Sequence, residues 1–121
     1  MSHKCHIMIK AQCHCGNIEL TTEKLPDEFT ECNCSICRRL ATKWIYYQTE
    51  EVQVSHNKEP TQTYIWGDKC IAFHHCPICG CATHYSSVAG SDFDRIAINA
   101  NMLDANTIKN LKSNRFNGAE M

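Results

Sequence analysis

Ten cysteines lie in a chain of 121 residues, a density that points to disulfides, metal ligation or redox chemistry. The compartment decides among these. The opening Met1-Ser-His-Lys-Cys-His is polar and is followed only by Ile7-Met8-Ile9, short of the roughly 7 to 15 apolar residues of a secretory core. The strongest apolar run, Trp44-Ile45-Tyr46-Tyr47, is bounded by Lys43 and Gln48 and falls far below the roughly 20 residues of a membrane span. The expected address is the reducing cytoplasm, where clustered thiols are more often metal ligands than bridges.

No repeat, low-complexity tract or Gly/Ser-rich linker divides the sequence, so residues 1–121 are expected to form a single domain. Twelve basic against thirteen acidic residues leave a formal charge of -1. That balance offers nothing to a phosphate backbone or an anionic bilayer, so neither nucleic acid nor membrane is an expected partner. Hydrophobic periodicity is mostly of two residues. Ile7, Ile9 and Ala11 alternate with Met8 and Lys10, Ile18 and Leu20 straddle Glu19, and Val52 and Val54 straddle Gln53. Runs rich in β-branched and aromatic residues predict further strands over 43–48, 61–66, 70–75, 83–86 and 95–100, with a turn at Gly67-Asp68. Helical signal is confined to turns over 35–40 and 104–111, the second with Asp104 as cap. The expected class is mainly β with minor helical turns, and with few large apolar residues metal is expected to supply part of the folding free energy.

The cysteines fall into three clusters: Cys13-His14-Cys15-Gly16, Cys32-Asn33-Cys34-Ser35-Ile36-Cys37, and Cys76-Pro77-Ile78-Cys79-Gly80-Cys81. Cys76 and Cys79 have the Cys-x-x-Cys spacing at which a tight turn brings two sulfurs onto one ion, and Gly80 supplies the backbone freedom such a knuckle needs. Cys13 and Cys15, ending a strand and followed by Gly16, are the best source of the other two ligands. Four thiolates saturate a tetrahedral ion, which makes this a structural zinc site. Cys32, Cys34 and Cys37 offer three thiolates, the ligand count of a catalytic or labile zinc with one open position. The alternative is a second closed site completed by Cys81, Cys70, Cys5 or a histidine. An open position suits an added thiol, held ionised at neutral pH, or a polarised carbonyl. Either use points to carbon-sulfur bond chemistry.

In order and spacing, Cys-x-Cys-Gly, Cys-x-Cys-x-x-Cys-Arg and Cys-x-x-Cys-Gly resemble the glutathione-dependent formaldehyde-activating enzyme family, which includes centromere protein V. The likeness starts near Ala11, runs through Cys32 to Arg39 and Phe73 to Gly80, and continues into Ala97 to Asp104 and Phe116 to Glu120. Cys81 departs from the pattern, standing where the family has a small residue. The resemblance implies a β-tent fold of short antiparallel sheets stapled by zinc. It implies one zinc on Cys13, Cys15, Cys76 and Cys79 and a second on Cys32, Cys34 and Cys37, hence two Zn2+ per chain. It further implies addition of a low-molecular-weight thiol such as glutathione to formaldehyde or another small aldehyde, or the reverse. That is S-hydroxymethylglutathione synthase-like, carbon-sulfur lyase chemistry. Seven thiolates and two zinc ions together carry a charge of roughly -3, which further disfavours nucleic acid.

Other residues weigh less. Arg38 and Arg39 follow the three-cysteine cluster, where guanidinium groups suit the carboxylates of glutathione, though a solvated basic turn explains them equally well. Cys5 and Cys70 fit strand positions as small hydrophobes. His14 is expected to point away from the ion its neighbours share, His3 and His6 lie near the start, and His74 and His75 alternate across a strand. His84 is a candidate proton shuttle that nothing in the sequence places at the site. Trp44, Tyr46, Tyr64 and Trp66 read as core or cross-strand packing rather than as a substrate platform. The competing functions are a non-catalytic zinc-stabilised β module that binds a protein partner, and a thiol-disulfide oxidoreductase using Cys76 and Cys79, which lacks the expected βαβ context.

Overall fold

The computed structural model describes residues 8–65, 70–88 and 94–120. Cys5, His3, His6, Trp66 and the Gly67-Asp68 turn lie outside them. The described residues form ten strands and two short helices. A small sheet has the order β1-β2-β5, built from Ile9–Gln12, Ile18–Thr22 and Val52–His56. A larger sheet has the order β10-β3-β4-β9-β8-β7-β6. Its strands in chain order are β3 (Glu28–Cys32), β4 (Trp44–Tyr47), β6 (Gln62–Ile65), β7 (Ile71–His75), β8 (Ala82–Ser87), β9 (Ile96–Asn99) and β10 (Lys112–Phe116). Among the described residues no helix is long and apolar enough to cross a membrane.

The mainly β expectation holds, and the alternating segments fall on β1, β2, β4 and β6 to β9 with ends shifted by a residue or two. Val52 and Val54 are both on β5, yet Val52 is buried and Val54 is 44% exposed, because β5 is the edge of the small sheet. Two strands carry no alternating apolar pattern. β3 is Glu-Phe-Thr-Glu-Cys and β10 is Lys-Ser-Asn-Arg-Phe, the latter exposed along its length. Their pairing is parallel, Lys112 opposite Glu28 through Phe116 opposite Cys32, whereas every other pair is antiparallel. A parallel neighbour requires a long crossover, and here most of the chain intervenes between the two strands.

The pleat gives the large sheet two unlike faces. Ile45, Tyr47, Ile96 and Ile98 pack with Leu20, Ile18 and Ala11 of the small sheet to form the main core. On the other face Trp44, Phe73, Tyr85 and Ala97 form a second cluster with Cys37. The second face is covered by α1 (Ser35–Leu40). Between these regions β3 meets β4 through a single residue pair, Thr30 opposite Trp44. The β3, β10 and α1 unit is therefore joined to the rest of the sheet by a single ladder pair and, beyond it, by side-chain packing of Phe29 and Cys37. α2 (Ala105–Lys109) is capped as expected: the Asp104 carboxylate accepts from the Thr107 N–H at 2.8 Å.

His84 and His74 stack with ring centroids 4.0 Å apart. His74 is fixed between Thr61 Oγ1 at 2.6 Å and Ser86 Oγ at 2.8 Å, and His84 Nδ1 meets Thr83 Oγ1 at 2.9 Å. Burial, and secondarily the neighbouring His74, hold the His84 imidazole down to about 3 from 6.5. The unfolded chain therefore takes up a proton below about pH 6.5 that the fold refuses, so stability falls as pH drops through that value towards 3. In His84→Gln the acid-side loss is expected to be shallower by up to about 1.4 kcal/mol per pH unit. Urea denaturation of both proteins between pH 7 and pH 5 measures the difference.

Candidate metal centres

Cys13 and Cys15 sit in the tight turn between β1 and β2, and Cys76 and Cys79 in that between β7 and β8. The turns are built alike. In the first, Gly16 N–H donates to the Cys13 carbonyl at 3.0 Å and Cys13 N–H to the Ile18 carbonyl at 3.1 Å. In the second, Gly80 N–H donates to the Cys76 carbonyl at 2.9 Å and Cys76 N–H to the Cys81 carbonyl at 3.0 Å. Gly16 and Gly80 take φ of 83° and 82°, the left-handed region where a side chain is strained.

The two turns bring four sulfurs within 4.8 Å of one another. Cys15 Sγ lies 3.7 Å from both Cys13 Sγ and Cys76 Sγ. A tetrahedral ion with metal-sulfur bonds of about 2.3 Å separates its sulfurs by about 3.8 Å, whereas a disulfide needs about 2.05 Å. The group thus has the size of a metal site, and the nine cysteines among the described residues are all unbridged. N–H groups point at the sulfurs: Ile18 N to Cys13 Sγ at 3.2 Å, and Ile78 N and Cys79 N to Cys76 Sγ at 3.4 and 3.5 Å. Burial opposes ionisation of Cys79, but hydrogen bonds from the Cys81 and Cys15 backbone and from neighbouring thiols bring it down to about 6. Cys15 goes the other way. The Asn17 N–H lowers it, but desolvation and contact with the thiols of Cys76, Cys13 and Cys79 raise it to about 11. Four thiols this close cannot all ionise without a cation among them.

Asn17, which no sequence motif marks, locks this group to the chain beyond β5. Its Oδ1 accepts from Lys58 N at 2.7 Å and Glu59 N at 3.1 Å, while Nδ2 donates to the Glu59 carbonyl at 2.8 Å and to Cys76 Sγ at 3.6 Å. His14 is exposed, as expected. Cys81 is half-buried and interacts with Cys79 and Cys13, so it belongs to the neighbourhood of the four-thiol group and not to the other cluster.

The second group is assembled differently. Cys32 ends β3, Cys34 caps α1 and Cys37 lies one helical turn on, so the last two share a face. Their three sulfurs lie within 4.8 Å of one another, and among the described residues no Cys, His or carboxylate joins them. Cys81 and Cys70 therefore do not close this group, and Cys5 lies outside the described residues. Cys37 is buried and accepts from Trp44 Nε1 at 3.5 Å. Burial, and beyond it the charges of Cys34 and Cys32, push the Cys37 thiol up to about 12 despite the Trp44 hydrogen bond. Cys34 is lowered: desolvation opposes this, but the N–H groups of Cys37 and Ile36 and the adjacent thiols prevail.

The closing segment braces this cluster. Asn33 N–H donates to the Phe116 carbonyl at 3.2 Å, Asn33 Nδ2 to Asn117 Oδ1 at 2.9 Å, and Ala119 N–H to Asn33 Oδ1 at 2.9 Å. Gly118 passes so close that a Cβ there would stand 2.6 Å from Cys32 Sγ and 3.0 Å from Cys34 Cβ.

Two cavities open beside the three thiols. One, about 410 Å³, is bordered by Cys32, Cys37, Arg38, Arg115 and Thr42, and the buried Thr42 hydroxyl has no hydrogen-bond partner. Arg39 is not part of it; its guanidinium turns back to the Ser35 carbonyl at 2.8 Å. The other, about 400 Å³, runs over Cys32, Cys34 and Cys37 between Trp44, Tyr85 and Phe116. Trp44 and Tyr46, read as packing residues, both line it. Tyr64 is exposed and does not. His84 points away: it lies opposite Ile98 on the main-core face, while its neighbour Tyr85 faces the cleft. The imidazole is therefore no proton shuttle for these thiols.

A chain of two open β sheets that gathers seven thiols into two metal-sized groups is a cysteine-rich β protein with two sites that could hold a metal ion. The family model for glutathione-dependent formaldehyde-activating enzymes matches residues 8–116, and the chain belongs to that family. A crystal structure of a protein from Rhodobacter sphaeroides has the same fold, with a TM-score of 0.69 at 22% identity, covering 87% of this chain and 99% of that one.

Two substitutions test the geometry. Asn17→Ala leaves the Lys58 and Glu59 backbone without its buried partner and is expected to lower stability by about 1–2 kcal/mol, read by thermal denaturation. Gly118→Ala pushes on Cys32 Sγ, and cobalt titration followed by thiolate charge-transfer absorbance is expected to show affinity at the three-thiol group reduced at least ~10-fold with the four-thiol group unchanged.

Proposed function

We propose that the chain is a single-domain cytoplasmic carbon-sulfur lyase in which Cys13, Cys15, Cys76 and Cys79 hold a structural zinc and Cys32, Cys34 and Cys37 hold a second, catalytic one. The reaction joins a small thiol such as glutathione to formaldehyde or another small aldehyde, or runs in reverse. The observation that carries this reading is the three-thiol group itself. It lacks a fourth donor among the described residues and has a cavity on each side. A sealed staple with a purely structural role has no use for such access, which is why catalysis is preferred to a protein-binding module.

Zinc bound there supplies Lewis acidity and favours the ionised form of an added thiol near neutral pH. The residues around it divide the work. Arg38 and Arg115 border the cavity on one side and match the carboxylates of glutathione, Glu31 on the same border matches its ammonium group, and the Thr42 hydroxyl is present for a polar group. Arg39, tied to its own helix, is dropped from the substrate-binding set. Trp44 fixes Cys37 through its indole N–H. On the opposite side the rings of Trp44, Phe73 and Tyr85 exclude water from the carbonyl.

Metal analysis and turnover separate the alternatives. The wild type is expected to carry two zinc ions per chain. Cys34→Ser is expected to retain one ion and its circular dichroism while losing formaldehyde-dependent consumption of glutathione at least ~100-fold. Cys76→Ser is expected to unfold or lose thermal stability. Unfolding of Cys34→Ser instead would assign the three-thiol group to structure alone.

A further inference from the structure

The cleft over the three thiols is far larger than its simplest substrate needs. Formaldehyde is one carbon and one oxygen, yet the cavity measures about 400 Å³, within the range of sites that enclose whole organic ligands. Its walls are also of one kind. Trp44, Tyr46, Phe73, Tyr85 and Phe116 contribute rings, and among the described residues Arg95 is the single charged side chain on the border. The rings are mutually braced: Trp44 and Tyr85 meet edge to face at 4.9 Å and 70°, Phe73 and Tyr85 at 5.7 Å and 67°. Trp44, Phe73 and Tyr85 are 1%, 8% and 6% exposed and pack on one another as a fixed floor. The rings a flat ligand can reach are those of Tyr46 and Phe116, 39% and 47% exposed. The Arg95 guanidinium lies 4.5 Å from the Tyr46 ring centroid and hydrogen-bonds Tyr85, so its charge is held at one place on the border.

Glutathione fits this cleft poorly. It is a peptide with two carboxylates and an ammonium group, and desolvating these against aromatic walls is costly. The cavity on the other side, with Arg38 and Arg115, matches it better. Both cavities share Cys32, Cys37 and Phe116, so a thiol from one side and a carbonyl from the other reach the same sulfurs.

We propose that the aromatic cleft selects a planar aryl aldehyde bearing a carboxylate, its ring against Tyr46 and Phe116 and its anionic end at Arg95. The proposal rests on the carbon-sulfur reading of the site and sets the carbonyl partner within it. In the addition, the thiol sulfur bonds to the carbonyl carbon and the C=O π pair moves to oxygen. That oxygen takes the proton the thiol gave up, and the product is a hemithioacetal, with no oxidant or reductant involved.

The test begins with binding, apart from turnover. 4-Methylbenzoate has the shape of 4-formylbenzoate without the reactive carbonyl. Titrated calorimetrically into the zinc-loaded protein, it is expected to bind one to one with Kd below about 1 mM, while acetate does not bind. Arg95→Gln is expected to weaken binding at least ~10-fold through the lost charge-assisted contact, and Tyr46→Ala several-fold. Tyr46 is 39% exposed, so its truncation keeps the test available should Arg95→Gln fail to fold. No saturable binding up to about 10 mM, or equal binding by wild type and both variants, would overturn the proposal. Rates of hemithioacetal formation from glutathione with 4-formylbenzoate and with formaldehyde then separate the two levels. Arg95-dependent probe binding without acceleration of either aldehyde leaves the ligand class standing and removes the lyase reading. Acceleration with formaldehyde and no probe binding removes this inference alone.

Discussion

The fold hangs on the meeting of two hairpin tips. One belongs to the small sheet and carries Cys13 and Cys15; the other belongs to the large sheet and carries Cys76 and Cys79. Their sulfurs stand at the edge length of a thiolate tetrahedron, so an ion held there would fasten the two sheets beside the apolar core they share. Cys13 and Cys76 lie within the main core itself, beside Ile18 and Leu20. The metal-sized group and the apolar core are thus one structural unit, and the left-handed glycines after each cysteine pair exist to close the two turns.

On the far face of the large sheet the second cysteine group meets a floor of packed aromatic rings. The β3, β10 and α1 unit sits beside this floor and shares one ladder pair with the neighbouring strand. A cleft opens there, with the three thiols on one wall and the rings on the other. The same arrangement places Phe116 opposite Cys32 and lays Gly118 against it, so the closing segment shapes the site as much as the cysteine loop does. A four-thiol group where two hairpin tips meet and a three-thiol group at a seam are two outcomes of one ligand chemistry, distinguished by how many donors the surroundings supply.

Much of this was legible in the sequence because the signals are local. Cysteine spacing shows which thiols can share an ion, and period-two alternation marks strands that bury one face. β3 and β10 escaped because their residues are mostly polar and their partnership spans most of the chain. The cleft escaped for a related reason: its rings come from β4, β7, β8 and β10, each explicable alone as packing. Arg38 and Arg39 show the limit of adjacency. Successive helical residues diverge by about 100°, so one borders the basic cavity and the other bonds to its own helix. Burial explains why His84, attractive on paper, serves the core instead.

The claim that one group is saturated by sulfur and the other is open can be read from the coordination shell of the loaded protein. X-ray absorption at the zinc edge averages both sites. The account predicts about 3.5 sulfurs per zinc at about 2.3 Å with a minor shell of lighter atoms near 2.0 Å. Four sulfurs at every zinc, or folded protein that takes up no metal, would contradict it.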